Sequence, residues 1–216
     1  AIEPSQDNLH IAQQSLESIA SQFGIQLEFH PFCTIIEEFE ESDWERLAMK
    51  KEPLFVSAAF ALHHVVGLDP VSARKRILEK IQQCNPHLFV LCEPNSDHCT
   101  KSLELRFQNA WTHFGGIFRY IQQLSVSAEE KTAIMLFFGR EIEDIIGNSE
   151  ESRYERHEPF SSWSRQLREA GFSLISDSDI PHPEDSLLTI KEQEGIWGIT
   201  YEDDVIVGVI VAKPTV

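Results

Sequence analysis

Residues 54–92, LFVSAAFALHHVVGLDPVSARKRILEKIQQCNPHLFVLC, decide the fold. The stretch begins and ends with short apolar runs, Leu54 to Phe60 and Leu88 to Cys92, which are typical of buried parallel strands. Between these runs, Asp69-Pro70 starts a helix with proline in its first turn, and Asn85-Pro86 ends it. A strand, a helix and a second strand in this order predict a right-handed βαβ unit.

The same alternation extends toward the N-terminus of the chain. Ser5 is placed to cap an amphipathic helix that ends at Gly24, and Ile25 to Phe29 predicts a short strand. Alternating strands and helices predict an α/β protein with a Rossmann-like, doubly wound, mostly parallel sheet. Toward the C-terminus, two apolar runs flank Glu202-Asp203-Asp204 and predict an antiparallel hairpin.

Two long amphipathic helices interrupt this alternation in the middle of the chain. Apolar residues recur at three- and four-residue steps from Leu103 to Ile121 and again from Ala133 to Ile145. We interpret residues 100–147 as a helical insertion within one domain, residues 1–216, which covers a sheet edge, a ligand or a partner subunit. The aromatic residues of its first helix are expected to belong mostly to the core: Phe107, Trp111, Phe114 and Phe118.

The composition excludes several classes of partner. The 216 residues include 18 Lys and Arg against 35 Asp and Glu, so the formal net charge is −17. Nucleic acids and anionic membranes are bound by clustered cations, and we therefore expect neither as a partner. The sequence has no apolar run long enough for a membrane span and no secretory signal pattern. Four cysteines without CxxC spacing predict reduced thiols in a cytoplasmic protein.

Polar side chains follow the predicted strands at their carboxyl ends, where open parallel sheets bind ligands. Glu3 has two interpretations that its spacing leaves open. It could accept hydrogen bonds from ribose hydroxyls, or it could stabilise the N-terminus of the following helix. His63 and His64 follow the next apolar run, and an imidazole there is suited to proton transfer near neutral pH. For at least one of these two histidines we expect a packing role.

A further polar group follows the strand at 88–92. Glu93, Asn95, Asp97 and His98 lack the fixed spacing of strong zinc motifs, so the sequence predicts a polar active-site loop and no metal site. The acid-rich runs at residues 37–41 and 150–155 are interpreted as solvated faces.

Several of these stretches together resemble a known family. Residues 56–65 resemble the fourth strand of class I S-adenosylmethionine-dependent methyltransferases. More narrowly, the chain resembles the GRAS-domain family over nearly its whole length, in Phe60–Val65 and in the block from Asn85 to His98. The most specific match is Phe138-Gly139-Arg140-Glu141-Ile142 followed by Arg156-His157-Glu158, Trp163 and Ala170-Gly171-Phe172. The short acidic sequence is similar to the bacterial branch of that family, for which methylation of small molecules has been proposed.

The sequence departs from the family pattern at both ends. The first strand and glycine-rich loop of the cofactor site are absent, so we expect these residues to be the C-terminal part of a longer chain. The hairpin also lacks the tryptophan-rich ending of the plant members.

The resemblance implies methyl transfer from S-adenosylmethionine to an unidentified small molecule. In this interpretation Glu3 contacts the cofactor ribose. The implied remaining cofactor-binding residues flank the adenine or line the methionine arm: Phe32, Cys33, Ser57, Ala59 and Leu62. The implied catalytic residues are His63, His98 and Glu93. The implied substrate-binding residues are His64, Asn95, Trp111 and Arg140.

The alternative interpretation is a protein without catalytic activity. The family's plant members act as transcriptional co-regulators through protein contacts, so the chain could be a non-catalytic interaction or regulatory module on the same fold. The helical insertion also offers a surface for homodimer formation. Methyl transfer is the main interpretation of the sequence, and the binding module is the alternative.

Overall fold

The structure, a computed structural model, describes residues 1–48, 53–65, 69–176, 187–193 and 195–215. It divides into two compact units, Ala1–Lys50 and Lys51–Val216. A helix that crosses a bilayer needs about 20 mostly apolar residues, and no helix in the described ranges meets that requirement.

The described residues of the first unit form two helices and a short 3₁₀ turn. Helix α1 spans Gln6–Gln22, the 3₁₀ turn spans Ile36–Glu38, and helix α2 spans Glu41–Ala48. The predicted cap of α1 is present, since the Oγ of Ser5 accepts the backbone N–H of Asn8 at 3.2 Å. The predicted end of α1 is also present, because Gly24 follows it with a φ of +65° that glycine adopts readily.

The strand predicted at residues 25–29 is not formed. The backbone N–H of Ile25 donates to the carbonyl of Ala20 at 2.8 Å, so the segment begins by closing the end of α1. An isolated parallel bridge instead joins Ile2 to Phe32. The alternating pattern of residues 25–29 therefore does not bury one face against a neighbouring strand, because Ile25 remains 62% exposed.

Where the structure describes the second unit, its strands form one six-stranded sheet. Its strands are β1 (Phe55–Ala59), β2 (Leu88–Pro94), β3 (Phe172–Leu174), β4 (Leu188–Gln193), β5 (Ile196–Tyr201) and β6 (Asp204–Pro214). Its helices are α3 (Pro70–Gln83), α4 (Leu103–Gln123), α5 (Ala128–Gly147) and α6 (Phe160–Glu169). The strand order is β1-β2-β6-β5-β4, and β3 also pairs with β6.

The sheet is mixed, and this corrects the prediction of a mostly parallel one. Among the described residues, β1 and β2 form the one parallel strand pair, in the βαβ unit predicted for residues 54–92. The pairs β2–β6, β3–β6, β4–β5 and β5–β6 are antiparallel. A parallel pair needs a crossover connection, whereas the turn between β5 and β6 is tight and forces its strands to run antiparallel. The fold class is therefore α/β with a mixed sheet.

The two long helices predicted in the middle of the chain are α4 and α5. They pack on the sheet through a cluster that includes Phe114 and Ile121 of α4, Ile145 of α5, and Tyr201 of β5. The prediction that the aromatic residues of α4 lie mostly in the core is wrong for two of them. Phe107 and Trp111 are 53% and 74% exposed.

Helix geometry explains this error. Trp111 lies roughly 60° around the helix axis from the buried Phe114. It therefore stands at the edge of the apolar stripe, beyond the part that α5 and the sheet cover.

Candidate functional site

The carboxyl ends of β1 and β2 lie side by side because the two strands are parallel. After β1, Phe60 adopts a φ of 52°, unusual for a non-glycine residue, and the chain turns into a 3₁₀ turn, Leu62–His64. Near the end of β2, the buried carboxylate of Glu93 accepts the backbone N–H groups of Ala61 at 3.2 Å and Leu62 at 2.8 Å. Glu93 thus holds the segment that carries His63.

His63 is held between two carboxylates. Its Nδ1 donates to Glu93 Oε2 at 2.5 Å, and its Nε2 lies 3.2 Å from Glu155 Oε2. Burial alone would lower the pKa of His63, but hydrogen bonds to Glu155 and Glu93 outweigh burial and raise the pKa to about 9. The imidazole therefore carries a positive charge at neutral pH.

Glu155 also contacts a second histidine. The same Oε2 lies 3.2 Å from Nε2 of His157. Burial opposes the charge on Glu155, but hydrogen bonds from His157 and His63 hold the pKa of this carboxyl well below its usual range. His63, Glu155 and His157 each offer one ligand atom, and these three atoms lie within 4.8 Å of one another. This triad is the set of described residues that could hold a metal ion.

The cluster continues through buried neutral histidines. His157 Nδ1 lies 3.0 Å from His98 Nδ1, and His98 Nε2 lies 2.9 Å from the hydroxyl of Ser96. Burial and the neighbouring His157 lower the pKa of His98 to about 2 and that of His113 to about 3. Both rings are therefore neutral at physiological pH.

Arg74 of α3 joins the two segments that carry the site. Its guanidinium donates to the carbonyls of Leu62 at 3.0 Å, His63 at 2.7 Å and Arg156 at 2.9 Å. It also pairs with the carboxylate of Glu158. Arg74 is fully buried, so these contacts satisfy a charge that has no access to water.

The predicted catalytic residues His63, Glu93 and His98 thus lie in one buried cluster. His64 stands at its rim with a side chain 48% exposed and Nδ1 3.7 Å from Glu155 Oε1. Burial, together with the nearby charge of His63, lowers the pKa of His64.

Asn95, another predicted substrate-binding residue, connects backbone segments of the fold. Its backbone N–H donates to Ile206 at 2.9 Å, and its side-chain oxygen accepts the N–H of Phe160 at 3.1 Å. The other two predicted substrate-binding residues, Trp111 and Arg140, lie on exposed surfaces of α4 and α5.

The predicted cofactor-binding residues fall in both units. In the first unit, the backbone N–H of Glu3 donates to Phe32 at 3.1 Å, and Cys33 Sγ donates to the carbonyl of Pro4 at 3.4 Å. Glu3, Phe32 and Cys33 are therefore neighbours. One carboxylate oxygen of Glu3 accepts the backbone N–H of Ser5 at 3.1 Å, immediately before α1. This contact fits the helix-stabilising interpretation of Glu3 and leaves its second oxygen for another donor.

The remaining cofactor-binding candidates lie in the second unit. Ser57 and Ala59 are exposed on one face of β1, and Leu62 is buried beneath the 3₁₀ turn. The exposed pair carries small side chains, which would allow a ligand to approach the backbone of β1.

Sequence reasoning missed half of this site. The acidic run at residues 150–155 predicts a solvated face, yet the side chain of Glu155 is only 14% exposed and contacts two histidines. Glu150 of the same run pairs with Arg153 and Arg156 at 2.7 Å and 2.5 Å. The usable signal was the dense alternation of bases and acids at residues 153–158, directly before an amphipathic helix.

Comparison with known proteins identifies relatives of this chain. The family model of the GRAS domain family matches residues 1–203. Scarecrow-like protein 28 of Arabidopsis thaliana is 26% identical over 199 residues, which cover 88% of this chain and 29% of that protein. DELLA protein 2 of Medicago truncatula is 25% identical over 180 residues, covering 80% of this chain and 33% of that protein. The chain thus spans a third or less of the length of these relatives.

Solved structures support the fold. The crystal structure of SCL7 in Oryza sativa superposes with a TM-score of 0.77 at 19% identity, over 95% of this chain and 60% of that chain. A structure titled as a S-adenosylmethionine-dependent methyltransferase from Methanosarcina mazei gives a TM-score of 0.41 at 14% identity, which is too distant to carry an argument.

Proposed function

Because the chain belongs to the GRAS domain family, we propose that it is a regulatory module that binds another protein, built on a methyltransferase-like fold. The observation that carries this proposal is an exposed apolar face on α4, formed by Leu103, Phe107 and Trp111. These residues recur at four-residue steps and are 54%, 53% and 74% exposed. The rings of Phe107 and Trp111 stack with their centroids 6.3 Å apart. We call this surface the α4 aromatic face.

Exposed aromatic residues in a row are a feature of binding surfaces. Tryptophan and phenylalanine are enriched in the buried centres of protein interfaces, where a few such residues contribute most of the binding energy. A helix that presents residues at i, i+4 and i+8 matches the apolar face of a second helix. Because this chain carries a net charge of −17, a partner with basic residues beside its apolar face is favoured electrostatically.

The protonation states in the buried cluster also favour a binding module. A general base works best when its pKa lies near the working pH. His63 is protonated at neutral pH because its pKa is raised to about 9, and His98 is fully buried with its pKa lowered to about 2. Neither predicted base is therefore tuned to accept a proton from a substrate.

Comparative capture tests this proposal. Partners retained by the wild-type protein are compared with those retained by Trp111→Ala and by Arg140→Ala, a matched change on the exposed surface of α5. We expect a partner that is lost with Trp111→Ala and kept with Arg140→Ala, and that binds the purified wild-type protein in calorimetry. Binding that survives Phe107→Ala and Trp111→Ala together would refute the role of this face. A homodimer lost in Trp111→Ala, seen by sedimentation, would make a second copy the partner.

Methyl transfer is a second candidate, favoured by the small exposed side chains of β1. S-adenosylmethionine would lie along Ser57 and Ala59 of β1. The bound cofactor would supply the methyl group, and the protein would hold the acceptor in line with it. Glu141 is the better-tuned proton acceptor, because burial and the charge of Glu155 raise its pKa to about 7. The acidic sequence, similar to the bacterial branch of the family, supports this candidate.

Calorimetry of the full-length protein with S-adenosylmethionine separates the two candidates. Methyl transfer requires binding of S-adenosylmethionine, and turnover of a small acceptor that Glu141→Gln reduces. The absence of cofactor binding, together with partner capture that depends on Trp111, would leave the interaction module alone.

The same proposal includes a cytoplasmic location. All four cysteines lie in the described residues and none forms a disulfide, and a reducing compartment maintains thiols in that state.

A further inference from the structure

We propose that His63, Glu155 and His157 bind a divalent transition-metal ion, with Zn²⁺ as the preferred occupant. The sequence predicted no metal site, because it considered only the loop from Glu93 to His98. The ligands we propose come instead from the turn after β1 and from the segment before α6, which are about ninety positions apart in the sequence.

The distances fit a shared ion. Glu155 Oε2 lies 3.2 Å from Nε2 of His63 and 3.2 Å from Nε2 of His157. Two ligand atoms that each lie about 2.0–2.1 Å from a zinc ion, at an angle of roughly 100°, are themselves about 3.2 Å apart. The carboxylate oxygen is therefore spaced from both imidazole nitrogens as a neighbouring ligand of one ion would be.

The donor set selects the class of metal. Two imidazole nitrogens and one carboxylate oxygen suit zinc and other first-row ions such as Fe²⁺ and Co²⁺, whereas Mg²⁺ and Ca²⁺ prefer oxygen ligands throughout. Three protein ligands also leave a position for water or a substrate atom, which is the arrangement of catalytic zinc sites.

The second nitrogen of each histidine is held by a buried partner. Nδ1 of His63 contacts Glu93 Oε2 at 2.5 Å, and Glu93 is itself fixed by the backbone of the 3₁₀ turn. Nδ1 of His157 contacts Nδ1 of His98 at 3.0 Å. Such outer contacts set the ring orientation and direct the other nitrogen at the metal. Both Nε2 atoms are thereby presented to Glu155.

The charges around the triad and the access to it from solvent also suit a divalent metal ion. The ion would displace the proton that Nε2 of His63 shares with Glu155 and release it to solvent. Glu93 and Glu155 then supply two negative charges beside the site, which would balance a divalent cation in a buried place. The side chains of His63 and His157 are 5% and 0% exposed, whereas that of His64 is 48% exposed. The ion would therefore enter from the side of His64, whose Nδ1 lies 3.7 Å from the other oxygen of Glu155.

Metal titration of the full-length protein tests the proposal. The protein is stripped with EDTA, and ZnCl₂ is added in a calorimeter at constant pH. We expect one Zn²⁺ per chain, with affinity at least 100-fold weaker in Glu155→Gln and in His157→Gln. His87→Gln removes an exposed histidine of the same unit and is expected to leave the stoichiometry and affinity unchanged. Glu93→Gln changes a residue that contacts Nδ1 of His63 but is not itself a proposed ligand, and it is expected to weaken binding about 10- to 100-fold.

A spectroscopic measurement keeps the proposal testable if a variant fails to fold. Co²⁺ added to the stripped wild-type protein is expected to give visible absorption bands of a four- or five-coordinate nitrogen and oxygen site, and Zn²⁺ is expected to bleach them. The proposal is overturned if the wild-type protein shows neither zinc binding nor these bands. Hydrogen bonds alone would then link His63, Glu155 and His157. The proposal is equally overturned if folded Glu155→Gln and His157→Gln bind zinc as the wild type does.

Discussion

Replacing Arg74 with methionine tests how the buried site is held together. Methionine keeps an unbranched apolar stem like that of arginine but removes all the hydrogen-bond donors. The change leaves Glu158, which is 4% exposed, without its cationic partner. It also removes the donor to three backbone carbonyls, those of Leu62, His63 and Arg156.

The expected loss follows from these contacts. Removing one member of a buried ion pair costs about 3–5 kcal/mol, because the remaining charge stays buried without compensation. Glu158 keeps hydrogen bonds from Ser162 and from Gln166, the latter at 2.9 Å, and these moderate the cost. We therefore expect Arg74→Met to lower the free energy of unfolding by about 3 kcal/mol.

Urea denaturation followed by circular dichroism measures this loss. Arg76→Met removes an exposed arginine from the same helix and is expected to change the free energy of unfolding by less than about 0.5 kcal/mol. Adding Glu158→Gln to Arg74→Met removes the stranded charge and is expected to recover part of the stability. If Arg74→Met and Arg76→Met are equally stable, or if Glu158→Gln gives no recovery, the reasoning about the buried pair is refuted.

Three other changes test separate features of the fold. Gly208→Ala places a Cβ 1.8 Å from Cζ of Phe160, so we expect urea denaturation to show a loss of about 2 kcal/mol that shrinks in a Phe160→Ala background. The pKa of His113 is lowered to about 3, so the unfolded chain gains a proton below pH 6.5 that the native ring does not accept. Because of His113 alone, the free energy of unfolding should fall by about 2 kcal/mol from pH 7 to pH 5. The free energy of unfolding of His113→Gln, measured by urea denaturation, should depend correspondingly less on pH. Ser127→Ala breaks the capping box of α5 and is expected to cost about 1 kcal/mol in the same assay, whereas an unchanged midpoint would contradict that role.

The local patterns predicted most of the secondary structure. The strand–helix–strand stretch at 54–92 formed because its apolar runs, proline start and proline stop all indicate the same elements. Whether each pair of strands in the sheet is parallel or antiparallel could not be predicted from such runs. A buried strand such as β6 is apolar on both faces whichever way its neighbours run, so the pattern does not encode direction.

The sequence predicts the part of the site at the ends of β1 and β2 but not the part in the segment before α6. His63 and Glu93 could be found because both directly follow or end parallel strands, and the sheet geometry brings such residues together. Glu155 and His157 lie in a loop whose path depends on Arg74, and no periodicity marks that dependence. Trp111 was assigned to the core because helical spacing identifies a stripe but does not say how much of its width another element covers.

The sheet of the second unit cannot be completed until late in the synthesis of the chain. β2 bonds to β6, and Asn95 at the end of β2 meets Val205, which follows 110 positions later. At ribosomal rates of 5–20 residues per second, roughly 5 to 20 seconds pass before the second neighbour of β2 has been made. During that interval one edge of β2 presents open backbone groups, which other chains could pair with. Chaperone binding to nascent chains that stop short of β6 should therefore exceed binding to longer ones.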